Sequence, residues 1–190
     1  MVKKLLLIAG VTATLCAIGY TAMAFTMVAN SGPTTVLSFA ASERVPMLPR
    51  TIAIWRVQSW KGCPVLERDA NVLGQTLRGY GLEGFERHRV LATASHLIDL
   101  GCDVDQRSLT GHTPLHEAIL YNEPDVVRFL LAHGADAAVT IEMPDASQSE
   151  TLRSFSGLDS LRFVEALQAK SGHAEDREEI LQMLKGYRTS

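Results

Sequence analysis

Residues 111–119 read GHTPLHEAI and contain two histidines four residues apart, with a carboxylate directly after the second. These residues are His112, His116 and Glu117. Four residues make about one helical turn, so two histidines at this spacing on one helix could share a zinc ion. The residues between the histidines decide whether one helix carries both.

Those intervening residues place only the second histidine on a helix. Thr113 can cap a helix through its hydroxyl, and Pro114 suits the first helical position, where its missing N–H does no harm. His112 therefore precedes the helix and cannot share a face with His116. The zinc-protease pattern also requires a histidine at position 120, which here is Leu120. We expect no metal site at this motif and a structural role for His116.

The composition favours small packed helices around such a motif. Of the 190 residues, 46% are hydrophobic and only 6% are aromatic, which suits a helical core better than a β-sandwich. The length allows one ordinary domain with a leader or tail. The formal net charge is −3, so we expect no nucleic-acid partner, because such a protein needs a basic face.

The first 29 residues combine a positive start with a long apolar run. Lys3 and Lys4 precede an uncharged, mostly apolar segment at residues 5–29, and about 20 such residues span a bilayer. We expect a retained membrane anchor, because the apolar run continues beyond the small residues Ala22 and Ala24. Cleavage after Ala24, as in a signal peptide, and a buried core helix are the alternatives.

Both export alternatives move the rest of the chain across a membrane. The two lysines would remain cytoplasmic, so the folded part would lie in the periplasm of a bacterium, either anchored to the inner membrane or soluble after cleavage. Residues 30–49 contain Gly32, Pro33, Pro46 and Pro49, which is typical of a linker. The folded domain is expected over residues 50–190.

The exported part would keep two cysteines, Cys63 and Cys102. An oxidising compartment would permit a disulfide between them. Two unpaired buried thiols are the more ordinary alternative, and we expect these.

An internal repeat is the strongest pattern in the chain. The segment HLIDLGCDVD begins at position 96 and FLLAHGADAA begins 33 residues later. Leu97 then aligns with Leu130, and Gly101 aligns with Gly134. A period of about 33 residues is that of ankyrin repeats.

The segment between the two copies resembles a complete ankyrin unit, with the motif Gly-x-Thr-Pro-Leu-His-x-Ala at residues 111–118. The resemblance implies an all-α solenoid of paired antiparallel helices with short β-hairpin fingers, here preceded by the N-terminal hydrophobic helix. The best repeat covers residues 103–136, and its finger would be residues 103–111. In this family the motif histidine hydrogen-bonds backbone and ties neighbouring repeats together, which is the role implied for His116.

Degenerate repeats are expected on both sides, because one unit cannot bury its own core. After the best repeat, helices are predicted near residues 156–170 and 174–186, behind a long polar loop at 140–156. Before it, helices are predicted near residues 65–77 and 86–100. The stretch RTIAIWRVQSW at residues 50–60 alternates like a strand but could equally form a short helix that caps the stack.

The sequence contains no constellation typical of an enzyme. It has no nucleophile elbow, no glycine-rich phosphate loop and no Cys-x-x-Cys, so we expect neither catalysis nor a cofactor. Solenoids bind partners on the face formed by the fingers and first helices. By resemblance, the partner-binding residues would be Gln106, Arg107, Leu109 and His112 on the finger, with Glu117, Leu120 and Tyr121 on the exposed side of the first helix.

The size, export signal and ankyrin body together resemble immunity proteins that neutralise periplasm-acting toxins of type VI secretion, notably phospholipase effectors. The resemblance implies a protein partner and attachment to the membrane through the N-terminal segment. The alternative is a periplasmic accessory protein that supports an envelope enzyme such as catalase.

Overall fold

The computed structural model describes residues 2–66, 71–143, 153–171 and 176–188. None of these residues belongs to a β-strand, and the isolated antiparallel bridge among them joins Ser42 and Phe85. A 3₁₀ turn covers Arg78–Gly81. In chain order the helices are α1 (Val2–Ala29), α2 (Pro33–Ala41), α3 (Met47–Gln58), α4 (Val72–Leu77), α5 (Arg87–Asp99), α6 (Pro114–Leu120), α7 (Pro124–Ala132), α8 (Ser160–Ser171) and α9 (Glu178–Arg188).

The all-α class predicted from the sequence is therefore confirmed, whereas the β-hairpin fingers are not. The described segment in the predicted finger position forms a tight turn instead. Ser108 N–H donates to the carbonyl of His112 at 2.8 Å, and Gly111 N–H donates to the carbonyl of Ser108 at 2.8 Å.

Three helix pairs stack along the chain around one core. α4 pairs with α5, α6 with α7, and α8 with α9, while α6 also packs against α4 and α8. Each pair buries an apolar face against its neighbours, which is how repeats that are too small to fold alone become stable. The largest fully buried side chains of this core include Leu73, Leu97, Leu115, Ile119, Leu130, Phe163 and Leu184.

The central pair, α6 and α7, has the local signals that the sequence predicts. Thr113 Oγ1 accepts from the N–H of His116 at 3.3 Å and caps α6. Pro114 and Pro124 occupy first-turn positions of their helices. Asn122 and Gly134, which follow the two helices, adopt left-handed φ values of 56° and 86°, as helix-ending residues commonly do.

Ahead of the stack, α2 and α3 form a helical pair that packs on α4 and α5 through α2. The predicted linker at 30–49 is thus wrong for the residues of α2, which bury Val36, Leu37 and Ala40. Pro33 starts this helix at its first turn, a position where proline is tolerated, so it does not break regular structure. The stretch at 50–60 lies largely in α3, which settles its alternative in favour of a helix. We call residues 33–66 the N-terminal cap.

A disulfide joins the N-terminal cap to the stack. Cys63, which follows α3, is bonded to Cys102, which follows α5, across 39 residues of sequence. The expectation of two unpaired thiols is therefore wrong. The sequence could not decide this pairing, because it depends on α3 and α5 ending close together.

The apolar helix α1 is mostly exposed. Its residues Ala9–Ala29 have the length and composition of a membrane span, and only 11% of that window is buried. This exposure argues against the alternative of a buried core helix, while an anchor and a signal peptide both fit. At its end, Ala24 and Val28 are buried, α1 packs against α3, and Arg56 donates to the carbonyls of Val28 and Ser31.

Candidate protein-binding surface

A groove lies where the first helices of two neighbouring repeats meet. Its larger part is a cavity of about 350 Å³ between α4 with its 3₁₀ turn and α6. A smaller cavity of about 200 Å³ adjoins it beside residues 108–110. Arg78 and Glu117 line both cavities. The groove therefore runs from the turn at 108–111 to the end of α6, with this charged pair at its centre.

The charged pair is a two-pronged ion pair that links the two repeats. Arg78 donates from its terminal nitrogen to Glu117 Oε1 at 2.8 Å and from Nε to Oε2 at 3.2 Å. The Glu117 side chain is only 7% exposed, against 37% for Arg78. The hydrogen bond to Glu117 raises the pKa of Arg78 above its usual value. A methyl group on Gly74 would lie 2.7 Å from Glu117 Oε2, so a glycine there leaves room for the pair.

Large apolar side chains are exposed along the groove. Leu82 and Tyr121, both in the lining of the larger cavity, are 57% and 54% exposed. Leu109, in the lining of the smaller cavity, is 60% exposed. Exposed apolar groups around a concave site with few polar groups are what a protein-binding site typically offers.

The structure divides the predicted partner-binding residues into three groups. Leu109 and Tyr121 are exposed, as expected. Gln106, Arg107 and Leu120 are half-buried. His112 and Glu117 are buried, so the expectation that they are available on the surface is wrong.

Each of these side chains has a physical reason for its position. Glu117 turns toward Arg78 because an unpaired carboxylate between two helices would be costly. His112 packs 5.8 Å from the ring of Phe163, between ring centroids. Arg107 donates to the carbonyl of Thr140 at 3.0 Å and pairs with Glu142 at 2.9 Å, so it is partly engaged within the protein.

His116 is a buried structural residue, although its contacts differ from those implied by the resemblance. Its Nδ1 accepts from the N–H of Thr113 at 3.3 Å and lies 2.8 Å from Thr113 Oγ1. This bond lies within its own helix turn, and no hydrogen bond from its ring to a neighbouring repeat occurs within the described residues. It contacts the next repeat through the ring of Phe163, at 5.7 Å between centroids. Burial lowers the pKa of His116 to about 3.

Sequence reasoning missed Arg78 and Leu82 as groove residues. Arg78 precedes its partner Glu117 by 39 residues, which does not match the 33-residue period, so no alignment pairs them. The α4 repeat also lacks the Thr-Pro-Leu-His motif. The signal that could have identified this face was an arginine with a leucine four residues later, and that pattern is common on any surface.

Comparison with known proteins supports the resemblance of the central helix pairs to ankyrin repeats. Residues 86–141 match the family model described as ankyrin repeats (3 copies). The chain is 48% identical to protein phosphatase 1 regulatory subunit 27 of Mus musculus over 40 aligned residues. That segment makes up 21% of this chain and 26% of the mouse protein. It is 45% identical to an ankyrin and IPT/TIG repeat-containing protein of Schizosaccharomyces pombe over 42 aligned residues. That segment makes up 22% of this chain and 4% of the yeast protein.

These matches cover the repeats and little else. The chain spans about a quarter or less of each relative's length. No solved structure matches. Residues 86–141 thus match ankyrin repeats, and the stacked helix pairs and the motif that caps α6 agree with that match. Ankyrin repeats are typically protein-binding modules.

Proposed function

We propose that this chain is a non-catalytic protein-binding module that works outside the cytoplasm, held by α1 at the outer face of a bacterial inner membrane. Two independent observations support this location. The exposed apolar helix α1 has the length of a membrane span. The Cys63–Cys102 disulfide is of a kind that persists in oxidising compartments and is rare in the cytosol.

We propose the groove between α4 and α6 as the binding surface. This groove is the main observation that supports a protein-binding function. Its exposed residues Leu82, Leu109 and Tyr121 supply apolar area, and the Arg78–Glu117 pair holds the two repeats in fixed register. A surface that is already formed loses little conformational freedom on binding. The partner is expected to insert an apolar segment into the larger cavity.

The charge of the exported part favours a neutral or basic partner surface. Residues 30–190 carry 16 basic and 21 acidic side chains, a net charge of −5. Complementary charge speeds the encounter of two proteins and disfavours wrong partners. The partner that fits best is a toxin that acts in the periplasm, such as a type VI phospholipase effector. An immunity protein needs only a rigid surface that blocks the toxin, so it needs no chemistry of its own.

The experiment is a pull-down of the product of the adjacent gene, followed by affinity measurements on groove variants. Tyr121→Ala combined with Leu82→Ala should weaken binding by roughly 30-fold or more, because truncating central aromatic and apolar contacts has effects of that size. Tyr187→Ala is the matched control, since Tyr187 is 42% exposed but lies on α9, outside the groove. Equal affinities for both variants would exclude the groove as the binding surface.

A second measurement separates the toxin-neutralising role from an accessory role. Co-expression with the bound partner in the periplasm should protect the cell, and the groove variant should lose that protection. If the partner is instead an envelope enzyme such as catalase, binding should preserve or raise its activity, which would contradict the immunity role while keeping the binding surface.

A further inference from the structure

The helix α3 has two large apolar side chains that nothing in the described chain covers. Met47 is 77% exposed and Trp55 is 61% exposed. They are eight residues apart, which places them about 80° from each other around the helix. The exposed polar residues Thr51 and Gln58 share this side. The side of α3 away from Trp55 carries Ala53 and Val57, which are buried in the N-terminal cap. A tryptophan and a methionine exposed together on one helix face indicate a surface that something else covers.

The contact between α1 and α3 fixes the height of this face relative to a membrane. Ala24 and Val28 of α1 are buried, and α1 packs against α3. The uncharged run at residues 5–29 is about 37 Å long at 1.5 Å per residue, which exceeds the hydrocarbon core of about 30 Å by about 7 Å. With Lys3 and Lys4 at the cytoplasmic surface, the core ends near Ala24, and the last turn of α1 with Val28 extends beyond it. The polar layer on each side of the hydrocarbon core is about 5–8 Å thick. α3 therefore lies at the level of the headgroups.

Arg56 holds this arrangement in place. It is the residue after Trp55, and its guanidinium donates to the carbonyls of Val28 and Ser31 at the end of α1. A cation on the last carbonyls of a helix is favourable, because these carbonyls have no partner within the helix and carry its negative end. Trp55 is thus adjacent in the chain to the group that joins α3 to the end of the span.

The charge distribution points the same way. Residues 30–66 contain four basic residues and one acidic residue, a net charge of +3, whereas residues 67–190 contain twelve basic and twenty acidic residues, a net charge of −8. An anionic lipid surface attracts the first segment and repels the second. The orientation that this favours places the N-terminal cap on the bilayer and the later repeats away from it.

We propose that the α3 face around Met47 and Trp55 lies in the headgroup layer of an anionic phospholipid bilayer and fixes the orientation of the repeat stack on the membrane. This inference rests on the membrane-anchored topology proposed above. Tryptophan is the side chain that best suits this layer, because its ring is apolar and its N–H remains hydrated.

The test uses the tryptophans of the full chain as depth probes. The chain has two tryptophans, Trp55 and Trp60, so Trp60→Phe leaves Trp55 alone. The full chain is reconstituted into vesicles of phosphatidylethanolamine and phosphatidylglycerol, with and without bromine on the acyl chains. Tyr121→Trp in a Trp55→Phe, Trp60→Phe background is the matched control, because it places an exposed indole in the groove.

We expect brominated lipid to lower the emission of Trp55 roughly twofold or more, as for aromatic residues at membrane interfaces, and to leave the control unchanged. Should the Trp60→Phe variant lose its helical circular dichroism, the difference in quenching between wild type and Trp55→Phe isolates the same residue. Equal quenching of Trp55 and the control would overturn the proposal. So would a Trp55 that is shielded from aqueous iodide but unaffected by brominated lipid, since a protein would then cover α3.

Failure of the anchor gives a different result. A chain that washes off the vesicles with alkaline carbonate is not inserted through α1, which refutes the membrane topology itself. A chain that stays inserted but shows no quenching of Trp55 refutes only the docking of α3.

Discussion

The central repeat and the N-terminal cap are both helix pairs on the same core, but different interactions hold them together. In the central repeat the chain's own local chemistry defines each helix end: Thr113 caps α6, and Asn122 and Gly134 end the two helices. In the N-terminal cap neither α2 nor α3 has a side-chain cap at its start. There the contacts that matter come from distant residues, namely the Cys63–Cys102 bond and the bridge from Ser42 to Phe85.

The central repeat should therefore depend on its motif, and the N-terminal cap on its disulfide. A reductant should then loosen the N-terminal cap first, and acid should loosen the central repeat first.

Removal of the disulfide should have the largest effect. The bond closes a loop of 39 residues, and the chain-entropy relation assigns about 4 kcal/mol to a loop of that length. We expect Cys63→Ala with Cys102→Ala to lose about that much unfolding free energy in urea titrations. Hydrogen exchange should increase over residues 33–66 more than over 103–136. Equal increases in both regions would show that the N-terminal cap does not depend specifically on the bond.

A substitution at Gly111 tests how strongly the stability of the central repeat depends on its motif. Gly111 has φ of 75°, and a methyl group there would lie 1.8 Å from the backbone oxygen of Glu142. We expect Gly111→Ala to cost about 3 kcal/mol or more, because backbone strain and a backbone clash add. Gly134→Ala is the control, since its φ is 86° with nothing within 4 Å of the added methyl. It should cost only about 1–2 kcal/mol from strain. Similar costs at the two positions would contradict the clash.

Acid should destabilise the central repeat through its histidines. Burial lowers the pKa of His112 and brings that of His116 to about 3. The unfolded chain then binds more protons than the folded chain below about pH 6.5, so stability is complete above that pH and falls as the pH drops toward 3. His116 alone should remove about 2 kcal/mol between pH 7 and pH 5.

The control for the acid effect is His116→Asn, measured over the same pH range. The variant is less stable at pH 7, because it loses a buried packing residue, but its stability should change less with pH. The N-terminal cap contains no histidine, so its hydrogen exchange should respond to pH 5 later than that of residues 103–136. An unchanged pH slope in the variant would refute the assignment to His116.

The smallest effect is expected at an ion pair between the N-terminal cap and the stack. Arg44 and Glu83 approach to 3.7 Å, with side chains 69% and 95% exposed. Exposed pairs of this kind contribute little, because water and salt screen them. We expect Arg44→Ala to leave the melting temperature unchanged within experimental error, at low and at high salt. A clear loss would mean that charge pairing, as well as the disulfide, holds the N-terminal cap.

The same comparison explains how much the sequence could predict. The central repeat was predictable, because Thr113, Pro114 and Gly134 act on the residues next to them. The N-terminal cap was not, since Pro33 and Pro49 indicate a break in regular structure until the helices around them are placed. The disulfide and the Arg78–Glu117 pair join residues 39 apart. Such contacts depend on how helices pack, which no local pattern reveals.

The predicted binding surface shows the same limit. Leu109 and Tyr121 were correctly expected on the surface, since the motif places the finger and the first helix. Glu117 is buried in its pair with Arg78, and the sequence did not reveal that pair because the repeat that carries Arg78 lacks the motif. The groove therefore became visible only once α4 and α6 were placed side by side.

Counting the free thiols of the chain in the cell shows whether the protein works outside the cytoplasm, as proposed above. The chain has three cysteines: Cys63 and Cys102 are bonded, and Cys16 is free. Cells expressing the full chain are denatured in a large maleimide reagent, and the adducts are counted on a gel. We predict one adduct before reduction and three after it, or none and two if the leader is cleaved after Ala24. Three adducts before reduction would show a reduced chain in the cytoplasm and contradict the proposed location.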